Sequence, residues 1–278
     1  MKNSFFARLL RNRSGLVGLI LIILYLIAAL AGAVGLTPYP PNEQHPVDRM
    51  QPPSAQYWMG TDIFGRDVFS RVIRGATNSL KVGLLSVTVA SALGIAIGAV
   101  AGYIGGEFDN IVMRIMDVFF AFPAILLALV IVAALGPGMQ NTILAIAVVY
   151  TPIFARVARG PTLTVKAKEY VLAARSIGTG HGTILRKHIL PNITAPLIVQ
   201  ISLALSWAIL TEAALSFLGL GAQPPEPSWG NMLSESRTLL ELAPWLAIFP
   251  GLAIMFAVMG FNLLGDGLRD VLDPRMKR

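Results

Sequence analysis

The sequence predicts an all-α polytopic membrane protein with six transmembrane helices and both termini cytoplasmic. Three observations carry that expectation. Of 278 residues, 55% are hydrophobic and 13% charged, with a mean hydropathy of +0.66, whereas a soluble domain carries roughly 25% charged residues. Charges are absent from several runs of about 20 residues, the length a helix needs to cross a bilayer. The basic residues also fall unevenly, and the side richer in Lys and Arg is the cytoplasmic one.

The first span is Gly15–Gly35, an uncharged run behind a short cytoplasmic N-terminus, 1–14, that carries Lys2, Arg8, Arg11 and Arg13. Ala29-Leu30-Ala31 resembles a signal-peptide cleavage site, but the apolar run is longer than the usual ~7–15-residue signal core. An external loop follows over 36–76. Six of the 18 prolines fall between Pro38 and Pro53, which favours extended chain. Phe69, Val72 and Ile73, with Arg71 and Arg74 opposite, suggest a short amphipathic helix, either on the membrane surface or solvated.

Span two is Val82–Gly106. Its Gly94, Gly98 and Gly102 recur at four-residue spacing, marking a helix-packing face, with a subunit contact as the alternative. The uncharged stretch Val118–Ala155 is too long for one span. Gly136-Pro137-Gly138 divides it into Val118–Leu135 and Met139–Ala155, and Pro123 and Pro152 are candidate kinks. A cytoplasmic loop over 156–191 carries seven basic residues. Within it, helix-forming Val165–Arg175 stops at Gly178 and Gly180, and a second short helix, Thr183–Ile189, ends at Pro191. Val171, Leu172 and Ile177 make this hairpin a candidate docking element; a cationic loop serving topology alone is the alternative.

Span five runs over 192–218 and span six over 242–265, before a cytoplasmic tail at 267–278. Sixteen of the 22 basic residues then lie inside. The other six are Arg49, Arg66, Arg71, Arg74, Lys81 and Arg237, and Arg66, Arg71, Arg74 and Lys81 cluster on the expected outside just before span two. Glu212 is the one acidic residue within a span, and intramembrane charge is costly enough to suggest function: it lines a solute path or holds structure.

A net charge of +7 and pI near 10.0 would suggest nucleic acid on a soluble chain; distributed over cytoplasmic loops it removes that partner and leaves the lipid bilayer. There is no cysteine, no Gly-Lys dipeptide for a phosphate-cradling loop, no His-Glu-x-x-His and no Gly-x-Ser-x-Gly. His45, His181 and His188 make no metal-ligand spacing. No catalytic residue, metal site or cofactor is expected, so transport energy must come from a partner or an ion gradient.

Ala173-Ala174-x3-Gly178-x9-His188-x-Leu190-Pro191 resembles the Glu-Ala-Ala loop of ABC importer permeases, with Leu172 at the Glu position and His188 at the usual Ile. Met59-Gly60-Thr61-Asp62 with Gly65-Arg66-Asp67, Glu212 to Gly221 with Pro227-Ser228-Trp229-Gly230, and Phe261 to Asp270 with Asp273-Pro274 are similar to the C-type subunits of dipeptide, oligopeptide and nickel permeases. The resemblance implies a type I importer permease fold over 77–266. It also implies ATPase coupling through Tyr170, Ala173, Ala174, Gly178, Leu190 and Pro191. The implied partners are a second homologous permease, two ATP-binding subunits and an extracytoplasmic solute-binding protein, in the inner membrane of a prokaryote. Peptides are the expected solute, with nickel, glutathione or another small solute as alternatives. An ion-coupled secondary transporter and a simple membrane anchor or channel subunit are remoter readings.

Overall fold

The computed structural model describes residues 5–272. The N-terminal Lys2 and the Asp273-Pro274 pair lie outside the described residues. Helices dominate: α1 (Phe5–Arg11), α2 (Arg13–Val34), α3 (Val68–Ile104), α4 (Gly106–Phe120), α5 (Ala124–Leu135), α6 (Met139–Lys166), α7 (Glu169–Ser176), α8 (His181–Ile184), α9 (Leu190–Phe217), α10 (Trp229–Ser236) and α11 (Trp245–Leu272). A π-helical turn, Leu185–Ile189, joins α8 to α9, and a 3-10 turn, Pro46–Asp48, sits in the long loop. The β-pairing among the described residues is one isolated bridge, Thr61 to Asp67.

The helices bearing α2, α3, α6, α9 and α11 are each long and apolar enough to cross a membrane. The α4–α5 pair is different: its two helices pass the same test only when taken together, as a broken span or a re-entrant loop. The expected span Val118–Leu135 is divided at Ala121–Pro123, where α4 and α5 meet at 87°. Pro123 marks the break: it disfavours continuation of α4, and it becomes the N-cap of α5. Because α4 carries Asp109 and Asp117, it needs partners, and α6 supplies them. Arg159 grips Asp109 with Nε–Oδ1 2.7 Å and Nη2–Oδ2 2.6 Å. Arg156 reaches Asp117 Oδ1 at 2.6 Å and lies 4.0 Å over the Phe120 ring. Arg156 and Arg159 therefore belong to a helix that runs unbroken through Pro152 and Pro161 to Lys166.

At 37 residues α3 is about 55 Å long, well beyond the ~30 Å hydrocarbon core. The expected separate amphipathic helix near Phe69 is its first turns. No Gly–Pro punctuation separates them from the span, and Asp67 caps the whole, accepting from Ser70 N at 2.8 Å. Three small-residue seams close the bundle. Methyl groups at Gly94 and Gly98 of α3 would overlap the Thr151 and Ala155 carbonyls of α6. At the start of α2, Gly15 and Gly18 lie against Gly267 and Leu264 of α11, and further on Gly32 lies against Ile73 of α3. Close backbone approach of this kind replaces the hydrophobic driving force that lipid removes.

The connectivity sorts the ends. Residues 35–67, the 136–138 turn and residues 218–244 share one end, where Gly138 N donates to Leu220 O at 3.0 Å. The α7–α8 hairpin shares the other with α1 and the end of α11, where Asn12 Nδ2 donates to Asp270 Oδ2 at 2.9 Å.

Candidate functional site

The hairpin between α6 and α9, with the first two residues of α9, contains the residues that the resemblance assigns to ATPase coupling. The chain leaves α6 at Ala167–Lys168, forms α7, and turns at Gly178, whose φ of +79° is cheap only for glycine. No atom lies within 4 Å of where a Gly178 side chain would begin, so conformation rather than space requires the glycine. Thr179 N donates to Ala174 O and Gly178 N to Arg175 O, closing the helix end.

One face of α7 points inward. Val171 and Ala174 are buried with Ile184, Ile189, Ile193 and Leu197, and Leu190 packs at the edge of that cluster. The other face points out: Tyr170, Leu172 and Ala173 are exposed, and Ile177 is 83% exposed. Of the three apolar residues expected to dock, Leu172 and Ile177 are free to do so, whereas Val171 anchors the hairpin to the bundle. Helical periodicity forces that split, because 171 and 174 share one stripe and 172 falls outside it.

Pro191 does not end the second limb. The helical run continues from His181 to Phe217, with Pro191 in the first turn of α9. The π turn, whose last bond runs from Leu190 N to Leu185 O, lies directly before the proline and absorbs the change of register. His181 and His188 stay apart: His181 meets Tyr103, and His188 lies 6.2 Å from the Tyr170 ring.

Tyr103 had no signal beyond being an aromatic at the end of an apolar span, yet it is the side chain of α3 that meets both limbs. Its Oη lies 2.8 Å from His181 Nδ1 and accepts from Arg175 Nε at 3.4 Å. Lys166 Nζ donates to Gly102 O one residue earlier, at 2.7 Å.

Glu212 is fully buried between α3 and α9. Ser79 Oγ donates to Oε2 at 2.9 Å and Ser216 Oγ to Oε1 at 2.7 Å. Its partners are hydroxyls on two helices, not the backbone amides of a helix end. Gly94, Gly98 and Gly102 all face α6.

At the opposite end the other sequence motifs converge. Arg66 bonds Asp62 (Nε–Oδ2 2.5 Å) and Glu235 of α10 (Nη2–Oε2 3.1 Å). Arg71 lies 3.7 and 3.9 Å from the same two carboxylates, and Arg74 pairs with Glu226 at 3.3 Å. Three of the four basic residues clustered on the expected outside, Arg66, Arg71 and Arg74, are therefore paired with Asp62 of the long loop and with Glu226 and Glu235 at and before α10. Trp229 Nε1 donates to Val72 O at 2.9 Å and Asn78 Nδ2 to Pro227 O at 2.8 Å. In the long loop, Tyr57 donates to Asp48 at 2.9 Å. Burial, reinforced by that carboxylate, pushes its phenol up to about 12, so it remains a donor at neutral pH.

A family model described as "Binding-protein-dependent transport system inner membrane component" matches residues 94–278. Another, the N-terminal TM domain of oligopeptide transport permease C, matches residues 3–53. The dipeptide transport system permease protein DppC of Alkalihalophilus pseudofirmus is 49% identical over 98% of this chain and 89% of its own length. The glutathione transport system permease protein GsiD of Pectobacterium atrosepticum is 48% identical over 98% of this chain and 91% of its own. An inward-facing structure of the MetNI methionine ABC transporter matches with TM-score 0.61 at 17% identity, covering 73% of this chain and 96% of that one; at that identity it speaks for the fold alone.

Proposed function

The chain belongs to the family of binding-protein-dependent transport system inner membrane components, and from that membership we propose that it is the membrane-spanning subunit of an ATP-driven importer of short peptides. The observation that carries this reading is the hairpin: Tyr170, Leu172 and Ile177 project from the bundle on a helix whose opposite face is locked into it. A rigidly seated helix with apolar anchors fits a groove on a partner, and here the partner is a pair of ATP-binding subunits. The hairpin end and both termini face the cytoplasm, supported by the concentration of Lys and Arg there. The loops around α10 face outward and receive solute from a binding protein, and a second homologous permease completes the pathway. ATP biases the pair between inward- and outward-facing states by binding one of them better.

The solute class is supported by two relatives whose names specify a dipeptide and glutathione, itself a short peptide. Two measurements test the proposal. The first is co-purification of the ATP-binding subunits with the native chain and with Gly178→Trp, which forces a bulky residue into a left-handed backbone on the docking helix; association and uptake are both expected to be lost. The second is a thermal-shift screen of the cognate binding protein against di- and tripeptides, glutathione and Ni²⁺ chelates. Stabilisation by metal chelates alone would overturn the peptide reading while leaving the importer reading standing.

A further inference from the structure

We propose that Tyr103 is a positioning residue that ties the α7–α8 hairpin to α3, so that hairpin movement is transmitted along α3 to the loops at the far end. This rests on the hairpin being the contact for ATP-binding subunits.

The phenol of Tyr103 is buried in the last turn of α3, yet it bonds one residue on each side of the glycine turn. Arg175 precedes Gly178 and His181 follows Gly180. Arginine has only donors, so Arg175 Nε gives its proton to Tyr103 Oη, and the Tyr103 proton is free for His181 Nδ1, 2.8 Å away. The Arg175 guanidinium also lies 4.8 Å from the centre of the Tyr103 ring, a cation–π geometry. Beside these contacts an open cleft of about 730 Å³ is lined by Val100, Tyr103 and Ile104 of α3 and by Arg175, residues 178–181 and Leu185. The turn itself carries no side chain at Gly178 or Gly180 to fill it. The Tyr103 contacts lie along this opening and link α3 to the hairpin.

What α3 does with that tie follows from its length. It runs without a break from Tyr103 to Val68. At its far end Arg71 joins Asp62 and Glu235, and Trp229 and Asn78 fasten α10 to it. A continuous helix bonded at both ends is stiff along its axis, so a displacement at Tyr103 reaches α10 without passing through the bent α4–α5 pair. A purely structural role would make the same packing contacts but would leave the ratio of transport to hydrolysis unchanged.

The experiment uses the full transporter in proteoliposomes with its binding protein, and reads solute moved per ATP hydrolysed. Tyr103→Phe retains the ring and its cation–π contact while removing both hydrogen bonds. The expected result is unaltered co-purification of the ATP-binding subunits, a Tm lowered by no more than a few degrees, and a ratio lowered about fivefold, a coupling loss of the size one hydrogen bond commonly supplies. His181→Phe removes only the Nδ1 bond and is expected to give an equal or smaller loss, and the double variant no greater one than Tyr103→Phe. An unchanged ratio in Tyr103→Phe overturns the proposal, and so does a fall that merely tracks lost stability or lost association. Failure of the underlying reading shows differently: Gly178→Trp would then retain its ATP-binding subunits, whatever Tyr103→Phe does.

Discussion

Arg66 Nη2 lies 3.1 Å from Glu235 Oε2, joining segments 169 residues apart at the loop end of the bundle. Arg66 is also bound to Asp62, whose carboxylate accepts from the Phe64 and Arg66 amides at 2.8 and 2.9 Å. Asp62 thus holds a turn, Arg66 and the approach of Arg71 together. Removing one partner from a buried ionic cluster leaves the others unpaired in a poorly solvated place, which costs more than the pair contributed. Asp62→Ala is expected to destabilise by about 3 kcal/mol, read as a lower Tm in detergent. Arg74→Ala is expected to cost at most ~1 kcal/mol, because its pair with Glu226 is 32% and 43% exposed and screened by solvent. Equal losses in the two variants would refute the cooperative cluster.

Glu212 separates a structural carboxylate from a transporting one. With hydroxyl donors from Ser79 and Ser216 and 1% exposure, its oxygens act as acceptors pinning α3 to α9. Glu212→Gln keeps one acceptor oxygen and the shape, so uptake within about twofold of native is expected; Glu212→Ala leaves two buried hydroxyls without partners and is expected to cost about 1–3 kcal/mol. Ion coupling predicts the reverse order of importance: Gln would abolish uptake while the fold survived, and uptake would collapse when the proton gradient is dissipated at constant ATP.

The glycine seam gives a contrast within one helix pair. A methyl at Gly98 would overlap the Ala155 backbone, whereas one at Gly160 of α6 meets no atom within 4 Å. Gly98→Ala should therefore push α3 from α6 and lower Tm, while Gly160→Ala should raise stability by about 0.5–1 kcal/mol through helix propensity. Thermal unfolding of the two variants side by side decides it; a neutral Gly98→Ala would show that the seam tolerates separation.

Much of this architecture was legible in the sequence, for a physical reason. A span must exclude charge over some 20 residues, so runs such as Gly15–Gly35 and Met139–Ala155 announce themselves. Where a helix end lies was less legible, because charges paired across helices do not have to be solvated. Arg156 and Arg159 read as loop residues until Asp117 and Asp109 appear opposite them, and Arg71 and Arg74 read as surface residues until Glu235 and Glu226 do. The bend between α4 and α5 was visible as Pro123, but not its 87° angle, because no local pattern encodes how the two helices pack against α6. Tyr103 was illegible altogether: its partners lie 72 and 78 residues away, and no local pattern encodes a contact made only when the hairpin folds back onto α3.

The two faces of α7 supply the sharpest separation of docking from folding. Leu172 is 49% and Ile177 83% exposed, while Val171 is fully buried in the cluster that seats the hairpin. Leu172→Ser and Ile177→Ser remove little burial from the isolated subunit, so its Tm should stay within a degree or two. Each withdraws an apolar anchor from the proposed interface, where truncations of central residues cost 2 kcal/mol or more. Retention of the ATP-binding subunits on a tagged permease is therefore expected to fall at least tenfold for the pair of substitutions combined. Val171→Ser should behave in the opposite sense: it places a hydroxyl without a partner in an apolar cluster and removes two methyl groups, lowering Tm by a cost of about 2–3 kcal/mol. If Leu172→Ser with Ile177→Ser left association intact while Val171→Ser abolished it at unchanged stability, the docking face would have to be reassigned to the inner side of the helix.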